Sequence, residues 1–181
     1  MDFSKILNNL SDNPQVREQL SGFLGGADQD KVEKGTQLSK EALFEQLKAN
    51  SRDPEGAKSL DRALTDHEDR DFQSVDDIDE NDGHKMLKHI FGDKEDQVTR
   101  KVSQDSGLDL SQAKQLLAKA APMVMAFLAN QRKTDSSNAG ADDGSGLSGL
   151  IEKVAGQAGA SGGFMEQIGD QLGGILGGLG K

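Results

Sequence analysis

The acidic residues between positions 66 and 82 are the part of this 181-residue chain that comes nearest to a metal site. A calcium-binding EF-hand loop needs oxygen ligands at its first, third and fifth positions, a glycine at the sixth and a glutamate at the twelfth. The residues at the first three of these spacings are Asp77, Asp79 and Asn81. The sixth position is Asp82 and the twelfth is Lys88, so the glycine turn and the bidentate ligand are both missing. We therefore predict no metal site and interpret the segment as a solvated acidic loop.

The same acidic segment supports an alternative function. It carries nine carboxylates and a single arginine, Arg70. Such a block repels itself and stays extended or loosely ordered, and its carboxylates can attract divalent cations weakly. Phe72, Val75 and Ile78 recur every three residues and are expected to tether the loop to the domain surface. A divalent-cation-responsive protein that uses residues 66–82 is therefore the second hypothesis.

The three histidines do not have the spacing of a zinc site. Zinc ligands on a helix are commonly four residues apart, which places both rings on one face. His84 and His89 are five residues apart, or about 140° around a helix axis, so their rings diverge. His67 lies in the acidic segment. We interpret all three as surface histidines, and a zinc site that combines His67 with another histidine and an aspartate is the alternative.

The sequence patterns do not favour an enzyme. The chain has no cysteine, which excludes thiolate nucleophiles and cysteine metal sites. The glycine-rich tail, residues 148–181, includes Gly159-Ala160-Ser161-Gly162-Gly163, but its glycines do not follow a predicted strand, as a nucleophile elbow requires, and no Gly-Lys-Ser/Thr accompanies them. The formal net charge of −10 argues against nucleic acid, whose phosphates require a basic face. We predict a protein that is not an enzyme and that needs no cofactor.

The apolar residues of the first 131 positions recur with helical spacing. This spacing predicts an all-α bundle of about six to seven short helices, built from helical hairpins. Because only 34% of the chain is apolar, the bundle is expected to be small. Asn13-Pro14 and Asp53-Pro54 are typical helix starts, and Ser39 is predicted to cap another helix. Pro122 either kinks one helix or begins a second.

A short motif occurs twice within this predicted domain. Gly35-x-x-Leu38-Ser39 reappears as Gly107-x-x-Leu110-Ser111, and a helical pattern and a proline follow each copy. We interpret residues 35–66 and 107–131 as a degenerate repeat of helical hairpins. The helical domain is predicted to cover residues 1–131, and residues 132–147 have the composition of a flexible linker.

Residues 148–181 form a glycine-rich tail whose apolar residues keep helical spacing. Each glycine inside a helix costs about 1 kcal/mol relative to alanine, so the tail is expected to fold only against an apolar surface. We predict that it is an interaction element, for self-association or for an unknown protein partner. The residues predicted to make the contact are Phe164, Ile168, Leu172, Ile175, Leu176 and Leu179. A flexible low-complexity tail, and binding to a membrane surface through residues 164–179, are the alternatives.

Hydropathy predicts the cellular location. No stretch approaches the roughly 18 apolar residues that suggest a membrane span, and the start has no apolar block of an export signal. We expect a cytoplasmic protein.

Two pieces of the sequence carry a resemblance to a known family. They are Gly83-His84-x-x-Leu87-x-x-Ile90-Phe91-Gly92, and Ala121-Pro122 with the apolar helix after it. With these pieces, residues 35–131 and the Gly-Leu-rich tail resemble the bacterial family of unknown function that includes the YidB-like proteins. The resemblance implies an all-helical fold and no known activity or functional residues. His84 stands where the family often has a small residue.

The sequence therefore predicts a non-enzymatic bacterial interaction module. Its predicted contact surfaces are the apolar faces of the helices within residues 84–131 and the tail. No nucleic acid is expected as a partner, and a membrane surface is not favoured.

Overall fold

The computed structural model describes residues 14–67, 70, 72, 75–138, 146–157 and 163–164. Within them the backbone forms seven α-helices, two 3₁₀ turns and no strand, which confirms the all-α prediction. The helices are α1 (Pro14–Phe23), α2 (Gln29–Arg52), α3 (Pro54–Thr65), α4 (Glu80–Phe91), α5 (Glu95–Ser106), α6 (Leu110–Asn138) and α7 (Gly146–Gln157). The 3₁₀ turns are Val75–Asp77 and Gly92–Lys94. At 24 and 29 residues, α2 and α6 are longer than the predicted short helices.

Aspartate side chains cap the two helices that form the first hairpin. Asp28 begins α2 by accepting hydrogen bonds from the N–H groups of its first turn. Asp53 begins α3 by accepting from the Gly56 N–H at 2.8 Å, and Pro54 occupies the first helical position. The helix start that Asp53-Pro54 predicts is therefore confirmed, and it turns the chain back so that α3 packs against α2.

The predicted helix cap at Ser39 is wrong. Ser39 lies in the middle of α2, is fully buried, and its hydroxyl donates to the Gly35 carbonyl one turn earlier at 2.7 Å. The helix begins at Asp28 instead and runs through Gly35, where the lack of a side chain admits Leu108 and Leu116. Burial of this stretch against other helices outweighs the weak helix propensity of its glycine, threonine and serine.

The centre of the fold is α6. Residues 116–129 are buried without a break, so this part of the helix is buried on all sides rather than along one stripe. It packs against α2, α3, α4, α5 and α7. Pro122 lies inside α6, which answers the question that the sequence left open: one helix continues through the proline. No described helix, including α6, has the length and apolar character needed to span a membrane.

A close helix contact in the core joins α4 to α6. Pro122 has no N–H, so the Ala118 carbonyl one turn earlier lacks its usual helical hydrogen bond. Gly83 of α4 packs onto this carbonyl: a β-carbon at Gly83 would lie 2.0 Å from the Ala118 oxygen. Only glycine fits there. Gly83 and Pro122 belong to the two pieces of sequence that carry the family resemblance. These two pieces therefore meet at one helix crossing.

The two copies of the short motif have different structures. Residues 35–66 include most of α2 and all of α3, whereas residues 107–131 contain one continuous helix from Leu110. Gly35 is a packing position inside a helix, whereas Gly107 has a φ of 77° and ends α5. The α6 helix also continues to Asn138, seven residues into the stretch predicted as linker, and Arg132 pairs with Asp61 of α3.

The acidic segment is attached to the core, as the spacing of its apolar residues predicts. Val75 and Ile78 are fully buried, and Phe72 packs against the core at the edge. Beneath them Lys119 of α6, only 5% exposed, donates to the carbonyls of Val75 at 3.1 Å and Ile78 at 2.6 Å. The Lys119 ammonium also lies 4.5 Å from the centre of the Phe23 ring. A buried lysine therefore fixes the backbone that precedes α4.

Candidate functional site

An open cavity of about 570 Å³ lies between α2, α3 and α4. Its base is apolar and is formed by Leu47, Leu60, Ala63, Met86, Ile90, Phe91 and Met125. Its polar lining residues are Gln46, Asn50, Glu55, Ser59, Asp66, His67, Lys85 and His89. We call this cavity the α2–α3–α4 pocket. Concave sites with an apolar base and a few convergent polar groups are typical binding sites in proteins.

Asn50 positions two walls of the pocket. Its side-chain amide donates to the Ile90 carbonyl near the end of α4 at 3.0 Å, and its oxygen accepts from Gln46 at 2.7 Å. The start of α3 approaches the same residue closely, because a β-carbon at Gly56 would lie 2.3 Å from the Asn50 carbonyl oxygen. The α2–α3 hairpin and α4 are therefore held at a fixed separation, which keeps the pocket open.

Ser59 and His89 are hydrogen-bonded to each other at the edge of the pocket. The Ser59 hydroxyl and the His89 Nε2 are 2.8 Å apart and join α3 to α4. In some enzymes a serine and a histidine at this distance act as the nucleophile and its general base. Here both lie at the solvent-exposed edge, where the bond links two helices and offers a donor or acceptor to a bound molecule.

His67 corrects the interpretation of the histidines as surface residues. It follows α3, lines the pocket and is 7% exposed. Its Nδ1 lies 2.7 Å from the Ala63 carbonyl, which can only accept, so Nδ1 carries the proton and donates. In the neutral ring Nε2 is then an acceptor, and no residue that the structure describes bonds to it. The sequence places His67 in the acidic stretch and gives no sign of this burial.

The pocket edge has charges of both signs. Glu55 and Asp66 lie on the α3 side, and Lys58 pairs with Glu55 at 3.3 Å. Lys85 lies on the opposite side, on α4. A bound molecule would meet carboxylates along one edge and an ammonium group along the other.

The three weak metal-ligand candidates lie at the start of α4. Asp79 is the cap of α4, and its carboxylate accepts from the N–H groups of Asn81 at 2.8 Å and Asp82 at 3.3 Å. Asn81 lies in the first turn, and Asp77 ends the 3₁₀ turn before the cap. Asp82 pairs with Arg70 at 2.6 Å. Within the part of the chain that the structure describes, no three His, Asp or Glu side chains are grouped to hold a metal ion.

The structure does not bring the histidines to one place. His84 lies 3.4 Å from Glu80 on the first turns of α4, whereas His67 and His89 line the pocket near the other end of that helix. His84 and His89 are on one helix at diverging positions, as their spacing predicts.

The first part of the glycine-rich tail folds on the helical domain. Helix α7 packs against α2 and α6 and buries Leu150, Ile151 and Val154. Lys48 of α2 bonds to Glu152 at 2.6 Å. The hydrogen bond and charge of Lys48 lower the pKa of the exposed Glu152 carboxyl.

Phe164 is the one predicted tail residue within the described part, and its side chain is 4% exposed. Its N–H donates to the Glu45 carboxylate at 3.0 Å, and its ring centre lies 5.3 Å from the Lys101 ammonium. Asp105 bonds to the same ammonium at 2.7 Å. Phe164 therefore contacts its own domain. The other five predicted contacts, Ile168, Leu172, Ile175, Leu176 and Leu179, lie outside the described residues.

Comparison with known proteins gives one match. The family model described as "Bacterial protein of unknown function (DUF937)" matches residues 7–131, which is more than half of the chain. No curated protein and no solved structure matches. The matched region includes the α2–α3–α4 pocket and the crossing of α4 with α6.

Proposed function

This chain belongs to the bacterial family of unknown function DUF937, and from its pocket we propose that it is a non-enzymatic protein-interaction module. In this proposal a polypeptide segment of a partner inserts apolar side chains into the α2–α3–α4 pocket. The observation that carries the proposal is the pocket itself: an apolar base held open between three helices, with polar groups at its edge. Protein contacts concentrate their binding energy where apolar side chains enter such pockets.

The polar groups of the pocket suit a polypeptide. Peptide groups offer both N–H donors and carbonyl acceptors, and the pocket has partners for each. The Glu55 carboxylate can accept, whereas the Lys85 ammonium can donate. The Ser59–His89 pair can do either, because a hydroxyl and a neutral imidazole each have both capacities.

The partner segment is expected to carry little negative charge. The chain has a formal net charge of −10, so an acidic segment is repelled before it reaches the pocket. At the edge, Glu55 and Asp66 repel a carboxylate on the α3 side. An apolar segment that is neutral or weakly basic meets neither obstacle.

The cation-responsive alternative draws on residues 66–82. Asp79 uses its carboxylate to cap α4, and Asp82 pairs with Arg70, so two of the acidic groups already have roles in folding. Membrane binding through residues 164–179 competes with the burial of Phe164 on the domain. These observations make us prefer the interaction module. The cytoplasmic location stays a prediction.

The proposal is tested by photo-crosslinking in the bacterium, with a benzophenone amino acid at one of two positions on α4. Lys85 lines the pocket, whereas Lys88 is exposed on the same helix and does not line it. Each is combined with Ala63→Phe, which fills the pocket, or with the control Ala57→Phe elsewhere on α3.

We expect protein adducts from position 85 that Ala63→Phe removes and that Ala57→Phe leaves in place. Position 88 should give different adducts or none. Equal adducts from both positions, or adducts from position 85 that Ala63→Phe does not change, would contradict the proposal.

A further inference from the structure

We propose that the segment that enters the pocket is residues 165–181 of a second copy of this chain, so that the protein self-associates by tail-to-pocket contact. This inference rests on the proposed function and names its partner. Three observations carry it: how the domain holds the start of the tail, the chemistry of residues 165–181, and the point at which Phe164, just before them, is attached to the domain.

The helical domain already binds segments of this composition. The sequence of α7, GLSGLIEKVAGQ, is glycine-rich with spaced aliphatic residues, and it packs on α2 and α6 with Ile151 and Val154 buried. A glycine-rich helix gains little from its own propensity, so contact with the domain must stabilise it. Residues 165–181 continue the same pattern, and the pocket offers a second apolar surface of the same domain.

Residues 165–181 match the pocket in polarity. Their apolar side chains include Ile168, Leu172, Ile175, Leu176 and Leu179. Their charged side chains are Glu166, Asp170 and Lys181, a formal net charge of −1. The stretch from Gln171 to Gly180 has no charged side chain at all, so it can enter an apolar base without burying an ion.

The attachment of Phe164 favours the pocket of a second copy over that of the same chain. The Phe164 N–H bonds to Glu45 of α2, whereas Gln46, Leu47 and Asn50 of that helix line the pocket. These three positions lie about 100° to 200° around the helix axis from Glu45, so Phe164 is attached to a different face of α2 from the one that lines the pocket. The seventeen residues after Phe164 span up to about 56 Å when extended, which is enough to reach a neighbouring molecule.

Salt should strengthen this association. Two chains that each carry a formal charge of −10 repel one another, while the contact itself is largely uncharged. Salt therefore screens the repulsion between the two chains and leaves the apolar contact in place. An association made by surface ion pairs would respond to salt in the opposite direction.

The experiment measures the mass of the full chain by light scattering over about a hundredfold range of concentration, at low and high salt. We expect the mass to rise with concentration and to rise further with salt. Leu172→Ser with Leu176→Ser should abolish the rise, whereas the matched control Gln167→Ser with Gln171→Ser should keep it. On the acceptor side Ala63→Phe should abolish the rise and Ala57→Phe should keep it.

A synthetic peptide of residues 165–181 is then titrated into the full-length Leu172→Ser, Leu176→Ser chain by calorimetry. We expect saturable binding that Ala63→Phe weakens by at least about tenfold. A mass of one chain at every concentration, or peptide binding that Ala63→Phe does not change, would overturn the inference. If the peptide does not bind, while the crosslinker at position 85 still gives protein adducts that Ala63→Phe removes, the inference is wrong and the proposed function stands.

Discussion

Substitution of Gly83 by alanine tests the close contact between α4 and α6. The new β-carbon would lie 2.0 Å from the carbonyl oxygen of Ala118 and 2.7 Å from its carbonyl carbon. The obstacle is backbone, in a helix that is buried on all sides, so it cannot rotate away as a side chain can. The α4 and α6 helices must move apart to accommodate the methyl group.

The expected change in stability is the difference between two effects. Overpacking in a filled core costs about 1–3 kcal/mol, and a backbone obstacle belongs at the upper end of that range. Alanine is more favourable than glycine inside a helix by about 1 kcal/mol, which offsets part of the cost. We therefore expect Gly83→Ala to lower the free energy of unfolding by about 2 kcal/mol. For a chain of this size that corresponds to a fall in Tm of about 4–8 °C.

The assay is urea unfolding followed by far-UV circular dichroism, with two further variants. Gly22→Ala is the control, because no atom lies within 4 Å of the added β-carbon. It should be neutral or stabilise by up to about 1 kcal/mol. Pro122→Ala restores the N–H that can draw the Ala118 carbonyl back into the helix. The double variant with Gly83→Ala should therefore be more stable than the two single changes predict, by at least about 0.5 kcal/mol.

If Gly83→Ala is as stable as the unchanged chain while Gly22→Ala behaves as expected, then α4 and α6 do not cross closely at Gly83. Strict additivity of Gly83→Ala and Pro122→Ala would show instead that the proline has no part in the crossing.

Three further predictions concern the acidic segment and the pocket. Lys119→Met leaves two buried carbonyls without a donor, so we expect a loss of about 1–3 kcal/mol and faster amide hydrogen exchange in residues 75–80. Unchanged exchange would contradict this role. Asn50→Ala removes the bond to the Ile90 carbonyl and should also cost about 1–3 kcal/mol, measured by urea unfolding; no loss would mean that this bond does not hold the pocket walls. Ser59 should not react with a fluorophosphonate probe, checked by intact mass, since a labelled Ser59 would show that it is an activated nucleophile.

Local signals in the sequence predicted the features that depend on neighbouring residues. Asp53-Pro54 is a helix start because the cap and the proline act within one turn. The burial of Val75 and Ile78 followed from their three-residue spacing. These features need no knowledge of the rest of the chain.

Other features depend on contacts that are distant in the sequence. Ser39 has the side chain of a cap but lies inside a helix, because its surroundings are buried by other helices. His67 stands among acidic residues in the sequence, yet its ring bonds to the Ala63 carbonyl and forms part of the pocket wall. The pocket itself requires Asn50 to meet the end of α4, forty residues away along the chain.

The central claim, that the α2–α3–α4 pocket is a binding site for an apolar polypeptide segment, is tested most directly by the methionine methyl groups. Met86 and Met125 line the pocket, whereas Met123 is buried elsewhere on α6. The chain is labelled with methyl-¹³C methionine, and the peptide of residues 165–181 or a crosslinked partner is added. We expect the Met86 and Met125 signals to shift in a saturable way while the Met123 signal stays in place. Saturable binding that leaves Met86 and Met125 unmoved would contradict this claim.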